Sequence, residues 1–519
     1  MRSQGSRQLS LLAWNILTEL PETSPAPADA AVPRKLGVTA VRAFFYTGGQ
    51  ALFVRILSLI GFIVLARLLT PKDYGVVALA NVFQTVLATF AAAGVSPTLL
   101  QKTDIDETET DSAFWAGLAL GTTLAVVLVG ASWPIANVFG EPQLRPILQV
   151  LSITFLFTAI GSVPQALLAR RLDFRSIAIA TTVANVFATI IGVAFAFAGL
   201  GVWSLVIQSV LGIAVLALIM FRRSGFRPGL RFSLARARSI LRTSSAYAGN
   251  GLADLFSQQS GSFAVGAALG SVSLGYYAVA SRILVILVEV LSLSVLTVAF
   301  PMFARVKEDP VALKRAYLTA SRLSAAVSAP VYLLTLAVAP EAVVAAFGEK
   351  WRASVPIMQI LCLFGPVYSV MVFNGAVLQA LGRPAVVFKI TLYSTLAQAV
   401  ALVFLAGRGL DWVAVIFVAR LYIAAPIEMR IACKAIGVDF RQPFLALMPS
   451  AVAAAAMIND VIAVRHLVGA DLGTWPRLLL LTLVGLLTYV AVLAIVGRDQ
   501  FLEVKGLLRR AYIRSDPSA

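Results

Sequence analysis

The chain of 519 residues is 59% apolar and only 13% charged, a balance that excludes an ordinary soluble domain. Its net charge of +17 would suit nucleic acid, but Lys and Arg fall in every second gap between apolar stretches. The charge therefore marks membrane topology and contact with anionic lipid headgroups, and no nucleic acid partner is expected. With Cys362, Cys433 and His466 as the only thiols and imidazole, a disulfide framework, a zinc site and a Cys-His or Ser-His-Asp catalytic set are excluded, and neither cofactor nor metal is expected.

Residues 1–38 lack the pattern of a signal peptide and, with Pro21, Pro25, Pro27 and Pro33, read as a flexible cytoplasmic tail in which 9–20 suit a short interfacial helix. A span needs ~20 mostly apolar residues, and fourteen such stretches follow, each helical because backbone amides in lipid find no water. The fold class is an all-α polytopic membrane protein. The first six spans, near 44–69, 74–94, 113–133, 145–164, 176–198 and 202–221, make an expected N-terminal lobe of residues 39–221. Between the second and third lies an acidic run, Asp104, Asp106, Glu107, Glu109 and Asp111, which reads as a solvated loop capping the third helix. Residues 222–242 form a basic linker carrying Arg222, Arg223, Arg227, Arg231, Arg236, Arg238 and Arg242. A C-terminal lobe, 243–435, holds spans near 243–268, 276–300, 317–339, 354–380, 385–406 and 411–429. Two appended spans, 444–464 and 477–496, lie within 436–497, and a basic cytoplasmic tail, 498–519, ends the chain.

Retention of Lys and Arg on the cytoplasmic side orients the spans. With the amino terminus inside, the cytoplasmic segments hold Arg34, Lys35 and Arg42; Arg170, Arg171 and Arg175; the linker; Arg305, Lys307, Lys314 and Arg315; Arg430, Lys434 and Arg441; and Lys505, Arg509 and Arg510. Opposite gaps hold little beyond Lys72, Arg145, Lys350, Arg352, Arg408 and Arg465. The expected location is the bacterial inner membrane, with both termini cytoplasmic.

Shifting the chain by 200 residues matches Arg42, Gly49, Leu52, Gly61, Leu69, Gly75, Ala78 and Ala80 with Arg242, Gly249, Leu252, Gly261, Leu269, Gly275, Ala278 and Ala280. Six spans separate the copies, so both enter the membrane from one side, as in a parallel duplication about an axis along the membrane normal. Two lobes rocking about a central cavity is a transporter's architecture. No gap much exceeds 20 residues, which leaves no room for the catalytic loop of a membrane synthase or polymerase, so the protein is not expected to be an enzyme.

Ionisable side chains within hydrocarbon cost several kcal/mol unless they meet protein or water, which makes them functional candidates. Arg55 lies mid-span with Gly48, Ala51 and Ser58 on its face; Arg282 and Glu289, seven apart, share a face; and Asn250, Asp254, Gln258 and Gly261 form a polar stripe widened by Gln259, Ser257 and Ser260. The candidate cavity residues are Arg55, Arg282, Asn250, Asp254, Gln258, Gln259 and Glu289. The competing reading is that these charges pair with each other and only fix helix packing. Arg67 and Arg322 read as snorkelling residues, Arg420 and Glu428 as a structural pair, and Asn81, Gln84, Asn185, Asn374 and Gln398 as interhelical hydrogen-bonding groups.

Five stretches carry a family resemblance: Leu65-Ala-Arg-Leu-Leu-Thr-Pro-Lys-Asp-Tyr-Gly75, Phe114-Trp115, Gly199-Leu-Gly-Val-Trp203, Leu274-Gly-Tyr-Tyr-Ala-Val-Ala-Ser-Arg282 and Gly348-Glu-Lys-Trp351. With them the chain resembles the Wzx-type flippases, the polysaccharide transporter branch of the multidrug, oligosaccharidyl-lipid and polysaccharide exporter superfamily. The resemblance implies a fourteen-helix fold of two lobes and movement of undecaprenyl-pyrophosphate-linked oligosaccharide repeat units across the inner membrane for exopolysaccharide or lipopolysaccharide biosynthesis. It implies lipid-linked oligosaccharide, membrane lipids, polysaccharide polymerase and export machinery as partners, and leaves coupling to an ion gradient open. Arg282 matches the family's arginine in its helix, whereas relatives often carry an Asp-Arg pair about where Gly261 and Ser262 stand here. Arginines would grip pyrophosphate oxygens, and Asn250, Gln258 and Gln259 sugar hydroxyls. A lipid II flippase or a multidrug or cation antiporter of the same fold remains the alternative, and a polytopic synthase or polymerase the rival from another class.

Overall fold

A computed structural model describes residues 54–94, 99, 105–468, 472–503 and 505–506, without the side chains of 91–94, 237, 239–254 and 292–298. The described residues form helices and turns with no strand, and twelve helices among them are long and apolar enough to cross a membrane. The start of the first expected span and most of both tails lie outside the described residues.

Helix α1, residues 54–68, ends at a turn whose chemistry is local. Pro71 opens α2 (Pro71–Gly94) at a position where its missing N–H costs nothing. Asp73 accepts from the Thr70 amide at 2.9 Å and hydroxyl at 2.7 Å, while the Thr70 oxygen accepts from the Asp73 amide at 3.3 Å, a reciprocal cap. Then follow α3 (Glu107–Val138), α4 (Leu144–Arg170), α5 (Phe174–Phe197) and α6 (Trp203–Ser224).

The long α7 (Leu234–Val288) contains the seventh and most of the eighth expected spans, broken at Gly270, where φ of 79° and ψ of 177° suit only glycine. A π-helical turn, Glu289–Leu293, leads into α8 (Ser294–Val306). The chain continues through α9 (Pro310–Ala337), the short α10 (Ala339–Phe347), a 3₁₀ turn (Glu349–Ser354), α11 (Val355–Cys362), α12 (Phe364–Ala380), α13 (Pro384–Leu405), α14 (Leu410–Ile436), α15 (Arg441–Val468) and α16 (Thr474–Val496). The expected span 354–380 is divided, with Leu363 between α11 and α12.

Helix α2 packs along α7, and one pair of glycines matched by the 200-residue offset, Gly75 and Gly275, is where they touch. A Cβ on Gly75 would overlap the Ser271 carbonyl oxygen and stand 2.6 Å from its carbon; a Cβ on Gly275 would overlap the Pro71 carbonyl oxygen and stand 2.7 Å from its carbon. Pro71 and Ser271 are themselves offset partners. Residue i meeting j while the equivalent of j meets the equivalent of i is the signature of a local two-fold. Leu65, Leu69, Val76, Leu79, Leu274 and Val279 are buried around this contact.

At the same end of the bundle, the segment from α10 to the 3₁₀ turn closes over the end of α1. Trp351, fully buried, donates its indole N–H to the Ala66 carbonyl at 2.8 Å and meets Tyr74 and Tyr276 edge-on at 5.4 and 6.1 Å. Lys350 donates to the Arg67 and Leu69 carbonyls at 2.8 and 2.6 Å, and Arg67 donates to the carbonyls of Ala345 and Ala346. Each cation thus caps the carboxyl end of the other's helix, the end the macrodipole makes negative. Arg67 therefore does not snorkel to lipid; it is spent on protein.

The opposite end carries the basic linker, and the acidic run is not a solvated loop. Asp106 does cap α3, accepting from the Glu109 amide at 2.7 Å, but Glu109 and Asp111 are buried. Asp111 accepts from the Gly229 amide at 2.9 Å, Trp115 donates to the Gly229 carbonyl at 2.8 Å, and Arg231 and Arg236 pair with Glu107 and Asp106. The linker folds over the start of α3 because the two runs carry opposite charge. Asp104 lies outside the described residues.

Candidate substrate site

Two of the predicted ionisable residues, Arg282 and Glu289, lie on α7 and at its carboxyl end. Seven residues advance a helix ~10 Å and return it to within ~20° of the same face, so Arg282 and Glu289 look the same way. Arg55 of α1 reaches Glu289, Nε to Oε2 at 3.4 Å, with the two side chains 33% and 38% exposed. Arg55 is thus paired with another of the candidate residues. Glu289 also opens the π-helical turn, an irregularity that turns a side chain off the regular helical track.

Arg282 has a different environment. Its side chain is exposed, it lies within electrostatic reach of the Tyr74 hydroxyl, and it has neither hydrogen bond nor ion pair among the described residues. An unpaired guanidinium at the depth of a membrane span is costly unless it meets water or an anion. Its fork of donors suits phosphate oxygens.

The polar stripe divides. Gln258 is exposed and Gln259 partly so, whereas Ser257 and Ser260 are buried against α13. Gln398 donates there to the Ser260 hydroxyl at 2.7 Å and the Ser257 carbonyl at 3.3 Å. Gly261 packs against the Tyr277 hydroxyl, which would have to shift to admit a Cβ there. The side chains of Asn250 and Asp254 lie outside the described residues.

Gln84 bonds Thr154 and Asn374 accepts from Tyr317, the expected interhelical bonds, but Asn185 donates back to Thr181 within its own helix. Arg322 does not snorkel but pairs with Glu503 at 3.5 Å. Arg420 and Glu428 form no ion pair among the described residues. Eight residues turn a helix by ~80° beyond two full turns, so they do not share a face, and Arg420 reaches Thr395 at 3.4 Å instead. The sequence reading also missed Glu341, buried with Arg465 at 2.8 Å and Arg477 at 3.4 Å, which ties α15 and α16 to α10. Its only sequence signal was basic residues in a base-poor gap.

The chain is 28% identical over 325 residues to the succinoglycan biosynthesis transport protein ExoT of Rhizobium meliloti (strain 1021), covering 63% of this chain and 66% of that one. It is 26% identical over 348 residues to the lipopolysaccharide biosynthesis protein WzxC of Escherichia coli (strain K12), covering 65% and 69%. It is similar, at 26% identity, to the teichuronic acid biosynthesis protein TuaB of Bacillus subtilis (strain 168), covering 66% and 71%. The matches thus span about two-thirds of each relative. Among solved structures, the lipid II flippase MurJ in an inward closed conformation superposes with a TM-score of 0.71 at 14% identity, covering 88% of this chain and 99% of that one, a likeness of fold. The polysaccharide biosynthesis protein family matches residues 64–356, more than half of the sequence, and the chain belongs to that family.

Proposed function

We propose that this protein is a flippase that carries an oligosaccharide linked through pyrophosphate to a prenyl lipid across the inner membrane, for exopolysaccharide or lipopolysaccharide assembly. The observation that carries the reading is Arg282, open and without a partner among the described residues, seven residues from the Glu289 that pairs with Arg55. A pyrophosphate headgroup and its sugars cannot cross ~30 Å of hydrocarbon unaided. Arg282 offers charge-assisted bonds to the phosphates, Gln258 and Gln259 offer bonds to hydroxyls, and the prenyl tail stays in lipid. Arg55 joins once the headgroup competes with Glu289 for it.

The contacts at the Gly270 end form the closed gate, which faces the periplasm when the basic linker end faces the cytoplasm. Exchange of the closed end moves the headgroup with no bond made or broken. The names of the relatives, a succinoglycan transport protein and a lipopolysaccharide biosynthesis protein, support a glycan substrate. The test is Arg282→Ala: glycan export should stop while the protein reaches the membrane at normal abundance, and Lys should restore it only partly because it lacks the planar fork. Full export by Arg282→Ala would remove this residue from the substrate site.

A further inference from the structure

Glu428 of α14 is buried, 8% exposed, and has no ion pair or hydrogen bond among the described residues. Its Oε1 lies 3.4 Å from the point a Cβ on Gly375 of α12 would occupy, so the glycine makes the room the carboxyl fills. Close by, Tyr317 of α9 donates to Asn374 Oδ1 of α12 at 2.6 Å, and both side chains are buried. The Tyr317 hydroxyl also lies beside Ser321, one turn along α9, and within electrostatic reach of Glu428. Ser321 Oγ and Asn374 Nδ2 are buried without a hydrogen-bond partner.

Among the described residues no cation pairs with Glu428; Arg430 and Lys434 of the same helix are exposed, and Arg430 lies over the Phe440 ring. On its own helix Arg420 is turned ~80° away and reaches Thr395. Lys389 of α13, Arg305 of α8 and Lys314 and Arg315 of α9 are not among the buried residues, and Arg322 of α9 pairs with Glu503. Helix α12 offers no titratable group at this level, α11 offers only the buried thiol of Cys362, and Cys433 of α14 lies beside Tyr317. On α7, Asp254 has its side chain outside the described residues. Leaving a carboxylate charged in such a place costs several kcal/mol, and each orphaned polar atom beside it costs ~1–3 kcal/mol. A neutral carboxylic acid removes the first cost.

We propose that Glu428, seated against Gly375 and within electrostatic reach of Tyr317, is an exchangeable proton-binding site within the C-terminal half of the helical bundle. The carboxylate takes a proton from hydronium, leaving water, and returns it to water when helix movement wets the site; nothing else is consumed. Coupling of that exchange to substrate movement rests on the flippase reading, but proton binding itself does not.

The test uses purified full-length protein in lipid nanodiscs, without substrate, and follows the carbonyl stretch of protonated carboxyl groups by infrared difference spectroscopy across a pH titration. A band that fades as pH rises in the wild type and is missing from Glu428→Gln supports the site. An identical spectrum in Glu428→Gln, or a wild-type spectrum with no protonated-carboxyl band that responds to pH, overturns it. Should Glu428→Gln fail to reach the membrane, Tyr317→Phe decides: a tenfold change in proton affinity, about one pH unit, supports the site and an unmoved titration overturns it. Failure of a flippase assay would leave these spectra untouched, so the two proposals fail separately.

Discussion

The contact of Gly75 with the α7 backbone makes a sharp demand on the chain. In Gly75→Ala the new methyl would stand 2.6 Å from the Ser271 carbonyl carbon and 3.0 Å from the Gly275 nitrogen, against backbone atoms that cannot rotate away. Restoring an ordinary carbon–carbon separation of ~3.5 Å moves the helices apart by ~1 Å, and such a gap forfeits a quarter to a half of the dispersion attraction across the contact. Overpacking of this kind costs ~1–3 kcal/mol. At ~3 kcal/mol the ratio of closed to open molecules changes about a hundredfold. Spin labels at Lys72→Cys and Val272→Cys, both exposed at this end, with Cys362 and Cys433 replaced by Ser, read that ratio as a distance distribution by pulsed electron resonance. The expected result is one short distance in the parent and a second, longer population in Gly75→Ala, with Gly275→Ala behaving alike. An unchanged distribution with unchanged export would refute the glycine contact as the closure of this end.

Trp351→Ala should destabilise the same end by ~3–5 kcal/mol because a fully buried ring is lost, and Trp351→Phe by only ~1 kcal/mol because the bond to Ala66 goes while the ring packing stays; thermal unfolding of the purified variants ranks them. Glu341→Gln leaves the Arg465 and Arg477 guanidinium groups without their buried counter-charge and should cost ~3–5 kcal/mol, read as early loss of protection in α15 and α16 by hydrogen exchange. The Arg236 guanidinium and the Glu109 amide hold the Asp106 carboxyl below the usual carboxylate range. Asp106 therefore favours linker docking above its unfolded value near ~3.9 and loses that contribution as pH falls through its depressed value, so proteolytic cutting of residues 222–236 should rise only in strong acid. Asp106→Asn should raise it already at neutral pH.

How much was legible in the sequence depended on whether a contact repeats, or stays local, along the chain. The offset glycines could be read directly, because a duplication writes its contact twice. The reach of Lys350 to the end of α1, 281 residues away, could not, since nothing local separates a capping lysine from a solvated one. The acidic run was misread for the same reason: its basic partner lies more than a hundred residues downstream. Arg420 and Glu428 were paired by spacing alone, and the helical angle forbids it. Of the site, the shared face of Arg282 and Glu289 followed from periodicity, whereas the capture of Arg55 by Glu289 needed the packing of α1 on α7.

The most direct test of the proposed function is transfer in a defined membrane. Purified protein is reconstituted into vesicles that carry a prenyl-pyrophosphate-linked oligosaccharide, and an impermeant glycosidase outside reports how much sugar becomes accessible with time. Digestion should stop at the outer-leaflet half in protein-free vesicles, proceed to completion with the wild type, and fall back to half with Arg282→Ala. Wild-type vesicles that stop at half, like protein-free ones, would contradict the account.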